Sequence, residues 1–448
     1  MLDLSLGGWT RNCQGLTRRN VLRIGTLTAG GMTLGESLRS RAAAAEKRRP
    51  GNKRSVICFW LDGGPTHMET YDPKPEAPAE YRGPFSAVQT RVPGIRIGAK
   101  YPRQAQVADK MSFIRSVHHN NGDHFAAAHW MWTGFHGSNA ANQDPQFPSI
   151  GAIASKVKGP NRRGLPAFVA IPNAATIGLR PGYQSGAYLG VTTNPFDAGS
   201  DPNAKNFQVR NLNLPGGIDN KRIRSRQGLL AGLDRTRREA DSSGLMTGID
   251  RFNQEAFDLI TGASARKAFD ISLEAPRLRD QYGRNSVGQG ALLARRLVET
   301  GVTFVTVHSG GWDNHSGIEG AMNSHGPRMD AAISSLVSDL DQRGMLDEVI
   351  VMVMGEFGRT PRINGNAGRD HWGNAISVML AGGGIHGGRV VGATDDKGTR
   401  PILRAIKPAH VLHTVYRQLG IDTTLRFLNH AGRPIPILDE GGPLDELI

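Results

Sequence analysis

Three continuous apolar runs constrain this chain more than any other feature, because each leads into glycine beside an acidic residue. Ser55-Val56-Ile57-Cys58-Phe59-Trp60-Leu61 runs into Asp62-Gly63-Gly64-Pro65. Val302-Thr303-Phe304-Val305-Thr306-Val307 leads to Gly310-Gly311-Trp312-Asp313, and Val349-Ile350-Val351-Met352-Val353-Met354 leads to Gly355-Glu356. Apolar runs of this length suit strands buried on both faces, as in a parallel sheet covered by crossover helices. A helix fits between the last two runs. Met329, Ile333, Leu336, Val337 and Leu340 share one face at helical spacing, and Pro327 is expected to open it. Strand, helix, strand is a βαβ unit, so the expected fold class is α/β: a doubly wound, mostly parallel sheet flanked by helices.

Further segments fit that plan. Strands are expected over 112–117, 167–171 and 376–380, and helices over 124–132, 289–299 and 408–419. Apolar periodicity weakens between about 139 and 284, and residues 172–285 read as an insertion or cap. The 448 residues suffice to bury a large core without disulfide or metal staples. Only Cys13 and Cys58 occur, so a chain cleaved after its start has no internal disulfide.

The first 54 residues read as an address. Thr17-Arg18-Arg19-Asn20-Val21-Leu22-Arg23 precedes a weakly apolar stretch over 24–38 and then Ala42-Ala43-Ala44-Ala45. Basic region, short apolar region and small residues form the order of a signal peptide. Paired arginines with modest hydrophobicity point to twin-arginine export of a folded protein. Residues 1–45 are therefore expected to be a signal peptide, 46–54 a basic linker and 55–448 the functional domain, periplasmic or secreted; an uncleaved membrane anchor is the other outcome. This address also explains the charge. The formal net charge is +14, but residues 1–54 carry eleven Lys/Arg and three Asp/Glu, which leaves +6. Scattered charge of that size argues against nucleic acid as a partner and suits small anionic substrates.

The acidic residues carry the candidate chemistry. Ligands of open α/β sheets bind outside the carboxyl ends of the strands, where Asp62, Asp313 and Glu356 are expected to converge. Convergent carboxylates repel unless a cation sits between them. His315 follows Asp313 by two residues and points the same way in extended backbone. Asp370-His371, in a Gly-rich loop, supplies another carboxylate–imidazole pair. Mixed oxygen and nitrogen ligation suits zinc first, with manganese, iron or calcium as alternatives. A second cluster, Ser116-Val117-His118-His119-Asn120-Asn121-Gly122-Asp123-His124, lies at a strand-to-helix turn, where a helix N-terminus favours an anion or nucleophile. His129, a turn further on, reads as a packed helix residue. Arg359 and Arg115 lie near strand ends, where either suits an anionic ester.

LDGGPTH, LLARRLVETGV, GGWDNH, GEFGRTP and GRDHWG, together with the twin-arginine start, resemble the exported sulfatase-like bacterial family of domain of unknown function 1501, within the alkaline phosphatase and sulfatase superfamily. The resemblance implies a doubly wound sheet and a two-metal site that hydrolyses phosphate or sulfate esters. It implies metal ligands among Asp62, Asp313, His315, Glu356, Asp370 and His371. It places His124 where the superfamily has its nucleophile, and Phe357 where it has a histidine. No modifiable cysteine stands at the nucleophile position. The expected function is thus an exported metal-dependent hydrolase of anionic small-molecule or glycan esters. His124 or His119 would shuttle a proton or form a covalent intermediate, and Arg359 would hold the anion. The alternative is a catalytically degenerate metal-containing protein that binds sulfated or phosphorylated glycans.

Overall fold

The computed structural model describes residues 53–209 and 262–448. The expected signal peptide, most of the basic linker and the middle of the 172–285 segment lie outside the described residues.

The central sheet has eight strands: β1 (Ser55–Leu61), β2 (Met111–Val117), β3 (Phe168–Ile171), β4 (Phe196–Asp197), β5 (Phe304–Ser309), β6 (Val349–Met354), β7 (Ile376–Ala381) and β8 (Arg389–Val391). Their spatial order is β8-β2-β7-β6-β1-β5-β3-β4. β7 alone runs antiparallel to its neighbours, so the sheet is mixed α/β and mostly parallel, as the apolar runs require.

β1 lies at the centre and shows why its run lacks alternation. Ile57, Phe59 and Leu61 face one core, which includes Leu293 and Leu297 of α3 (Ser286–Thr300) and Ile333 and Leu336 of α4 (Ile318–Gln342). Val56, Cys58 and Trp60 face the other, with Trp132 of α1 (His124–Thr133), Ile153 of α2 (Ile150–Lys158) and Leu412 of α5 (Pro408–Leu419). Side chains alternate along a strand, so both sets must be apolar when both faces are covered.

Four details differ from the sequence reading. The helix expected to begin at Pro327 begins at Ile318, with Pro327 exposed inside it, because Ile318 and Met322 are buried and extend the apolar face by two turns. β5 extends to Ser309, because His308 and Ser309 pair with Trp60 and Leu61 despite their polarity. The 172–285 segment joins the main body at both described ends: β4 pairs with β3, while Phe269, Ile271 and Tyr282 are buried in the core. α2 lies within the stretch whose periodicity seemed weak, and Ile150, Ile153 and Ala154 bury it.

His67, His119 and His129 are each buried as a neutral ring. His67 donates from Nε2 to the Gly398 carbonyl at 2.8 Å. His129 is tied to the Phe135 carbonyl at 3.0 Å, and His119 to the Glu356 carbonyl at 2.6 Å. Burial lowers each from the usual 6.5 to about 4. The unfolded chain binds protons at these rings below pH 6.5 while the folded chain resists until pH 4. Stability is therefore whole above pH 6.5 and falls as pH drops toward 4, by up to about 3 kcal/mol per ring. Denaturant midpoints measured from pH 7.5 to 4 are expected to show this loss, and His67→Gln is expected to flatten the slope by about one proton.

Candidate metal centre

The register brings the strand ends level. Trp60 pairs with His308 on β5 and with Met354 on β6, and Leu61 pairs with Ser309. Asp62, the 310–315 loop and Glu356 therefore start at one edge of the sheet. The Asp62-Gly63-Gly64 turn packs directly on the others. Gly63 has φ +113°, and a Cβ there would lie 2.4 Å from the Asp313 amide nitrogen. Gly64 has φ +82°, and a Cβ would meet the Phe357 ring at 2.4 Å. Only glycine supplies both the backbone angle and the clearance.

Arg359 fastens these loops. Its side chain is wholly buried. Nε donates to the Gly64 carbonyl at 2.9 Å and Nη1 to the Arg369 carbonyl at 3.1 Å, while Nη2 donates to the Gly63 carbonyl and to Asp313 Oδ1. Expected as an anion clamp, Arg359 instead spends its donors on protein oxygens and does not open to a ligand. A two-residue antiparallel pairing sets His371 opposite Arg359. Arg369, also buried, closes the same loop by an ion pair with buried Glu69 at 2.6 Å.

Asp313 is the centre of the cluster. Its Oδ1 lies 3.1 Å from His315 Nε2 and 3.2 Å from His371 Nε2, and those two nitrogens are 2.9 Å apart. His124 Nε2 approaches Oδ2 at 3.4 Å. His124, Asp313 and His371 likewise offer ligand atoms that all lie within 4.8 Å of one another. Burial disfavours the Asp313 charge, but the surrounding His124 and Arg359 donors outweigh it and hold the carboxyl far below the usual range.

The ring tautomers follow from the outer contacts. His371 Nδ1 lies 2.8 Å from the Gly122 carbonyl, and His315 Nδ1 lies 2.8 Å from Asp370 Oδ1. Both partners are acceptors, so each neutral ring carries its proton on Nδ1 and turns the Nε2 lone pair inward. Two lone pairs and a carboxylate oxygen then face one gap, an arrangement that repels unless a cation or an added proton fills it. The triangle fits a transition-metal ion: donors about 2.1 Å from a tetrahedral zinc would be about 3.4 Å apart, close to the separations here. An imidazole-rich set suits zinc, manganese or iron better than calcium, which prefers six or more oxygens. Asp370, expected as a ligand, lies behind His315 and orients it, as outer carboxylates do at metal sites.

Glu356 and His124 form a second layer. Asp123 caps α1 by accepting from the Ala126 amide at 2.9 Å, which places His124 at the first helical position. His124 Nδ1 lies 2.8 Å from Glu356 Oε1, which also accepts from the Gly63 amide at 2.9 Å. Burial opposes the charged ring, but Asp313 and Glu356 prevail and raise His124 from 6.5 to about 9. Glu356 is completely buried, its Oε2 has no hydrogen-bond partner, and burial raises its carboxyl above the usual range. Phe357 packs against the His124 and His371 rings at centroid distances of 4.9 and 4.6 Å.

Two other expectations change. Asp62 does not join the Asp313 cluster: its Oδ1 accepts from the Trp60 indole at 2.7 Å and the Ile177 amide at 3.0 Å, and its Oδ2 is 3.2 Å from His308 Nε2. His119 is buried with both nitrogens engaged, Nε2 by the Glu356 carbonyl and Nδ1 by the Asn121 amide at 3.1 Å, so it supports the loops. Sequence reasoning missed His308, although a polar residue at the end of an apolar strand was a usable signal. It also missed the Glu69–Arg369 pair, which joins residues 300 positions apart.

Fold and centre together define an α/β protein whose carboxylate and imidazole groups gather at the carboxyl edge of a mostly parallel sheet. The family described as protein of unknown function DUF1501 matches residues 53–448, and the chain belongs to that family. Among solved structures, the chain is similar to a protein in the alkaline phosphatase superfamily from Vibrio parahaemolyticus, at 10% identity and TM-score 0.40 over 88% of this chain and 76% of that one. It is similar also to a sulfatase from Pseudoalteromonas sp., at 14% identity and TM-score 0.36 over 86% and 70%. A putative sulfatase from Bacteroides thetaiotaomicron matches at 11% identity and TM-score 0.38 over 83% and 71%. No curated protein matches the chain in sequence.

Purified full-length protein is expected to bind zinc with Asp313→Ala abolishing binding. Asp370→Ala should weaken binding by about 10–100-fold through the loss of His315 orientation. Asp62→Asn should leave the stoichiometry unchanged. Elemental analysis and competition with a chromogenic chelator read all three.

Proposed function

We propose that this protein is an exported, metal-dependent hydrolase of phosphate or sulfate esters carried on small molecules or glycans. The observation that carries the reading is the convergence of His315 Nε2 and His371 Nε2, 2.9 Å apart, on Asp313 Oδ1 at 3.1 and 3.2 Å, with each ring held from behind at Nδ1. Asp313, His315 and His371 would hold the ion, with His124 at its edge. A divalent cation there would offset negative charge on an ester and make water a better nucleophile.

The chain's own groups supply the rest. Glu356, fixed by the Gly63 amide, orients the His124 ring through Nδ1. His124, raised to about 9, carries a proton at neutral pH. Its Nε2–H, only loosely tied to Asp313 at 3.4 Å, is the proton available to a departing alcohol. Phe357 keeps one side of both rings dry, which preserves these interactions. The pair of arginines and short apolar stretch near the start of the chain support export by the twin-arginine route.

A binding role without turnover has one observation in its favour. Cys58, the free cysteine of the described chain, is buried in β1 with its thiol pushed far up by burial, so it offers no covalent nucleophile.

The test is turnover of aryl phosphate and aryl sulfate by the full-length protein loaded with zinc, manganese or iron. Chelator-sensitive turnover is expected. His124→Gln should lower kcat by about 10²–10⁴-fold for esters with poor leaving groups and far less for good ones. Equal losses with both leaving groups would remove the proton-donor role, and bound metal without turnover of either ester would favour the binding role.

A further inference from the structure

A second cavity lies at the same edge of the sheet, on the β3 side of Asp62. It encloses about 210 Å³ between the end of β5, the start of α3 and the first half of α4. Ser286, His308, Ser309, His325 and Arg328 supply its polar lining, and Val287 and Met329 are among its apolar residues. No aspartate or glutamate lines it among the described residues. Its free donors are one guanidinium and two hydroxyls, because the His308 N–H is spent on Asp62 and the His325 ring on the Gly311 backbone.

Arg328 is the decisive group. It is exposed and makes no hydrogen bond or ion pair among the described residues, whereas Arg359, Arg369 and Arg295 are all buried and paired. His325 stacks on the buried Trp312 ring at a centroid distance of 4.7 Å, which fixes its place in the wall. His308 is fixed by Asp62 at 3.2 Å. Two walls are therefore rigid and the third is a free cation. The chain that forms the floor, Ser309-Gly310, continues through Trp312 to Asp313, so the cavity and the metal centre share one loop.

We infer that this cavity is an oxyanion pocket, in which Arg328 binds a sulfate or carboxylate group with the Ser286 and Ser309 hydroxyls as the flanking donors. Joined to the proposed ester cleavage, on which this extension rests, the pocket would select substrates carrying a second acidic group beside the scissile ester. Guanidinium pairs with both anions in the same fork geometry, so the shared chemistry is a planar or tetrahedral oxyanion.

The test uses the full-length protein stripped of metal by a chelator, which removes a bound cation as a competing anion site and leaves the loop from Ser309 to Asp313 intact. Calorimetric titration with inorganic sulfate forms one arm and with glucuronate the other. Saturable binding is expected in at least one arm, and the arm that responds identifies the anion. Arg328→Gln is expected to weaken that binding by about tenfold or more, the scale of one charge-assisted hydrogen bond, with Arg328→Lys retaining part of it. Arg328 is exposed, so neither change threatens the fold. No binding in either arm, or equal affinity in the Gln variant, overturns the pocket. Because both arms are read without turnover, the pocket can fail while ester cleavage stands, and the reverse.

Discussion

The buried guanidinium of Arg359 is the interaction on which the site depends. Its donors reach the carbonyls of Gly63 and Gly64, the carbonyl of Arg369 and the carboxylate of Asp313. Those oxygens belong to the loops after β1 and β5 and to the loop that delivers His371. Three segments far apart in sequence are thus tied to one planar group. A fully buried charge is costly unless every donor is satisfied, and here each loop is partly held in place because it supplies an acceptor. Lysine could carry the charge but could not reach four oxygens in fixed directions.

That fastening makes the electrostatics of the centre severe. Asp313 faces three imidazoles, Glu356 is buried with one oxygen unpartnered, and His124 lies between the two carboxylates. The raised His124 and the depressed Asp313 are two sides of one arrangement, since each stabilises the charged form of the other. The inward lone pairs of His315 and His371 set the same requirement from another direction. The gap therefore favours positive charge, which is the electrostatic basis of the proposed cation site.

Much of the fold was legible because burial leaves a direct mark on sequence. Strands covered on both faces must be apolar throughout, so β1 and β6 match their runs residue for residue. α5 was equally plain, with proline at its first position and glycine after its last. α2 was not, because nine residues are too few to establish a period beside polar loops. The start of α4 was misjudged because proline usually opens a helix, whereas here Ile318 and Met322 are buried before it.

The sequence by itself determined which residues could gather, because strand ends in a parallel sheet meet at one edge and Asp313, His315 and Glu356 follow from that rule, while His371 was read from its Gly-rich loop. It could not assign them roles. Asp62 turned to Trp60, Ile177 and His308; Asp370 moved behind His315; His119 and Arg359 became buried supports. Those outcomes depend on which carbonyl or ring stands within about 3 Å of each side chain, the range of a hydrogen bond. Contacts such as His371 to Gly122, or Arg369 to Glu69, join residues hundreds of positions apart. No local pattern encodes such a pairing, so only the packed chain decides which polar group serves a ligand and which serves the fold.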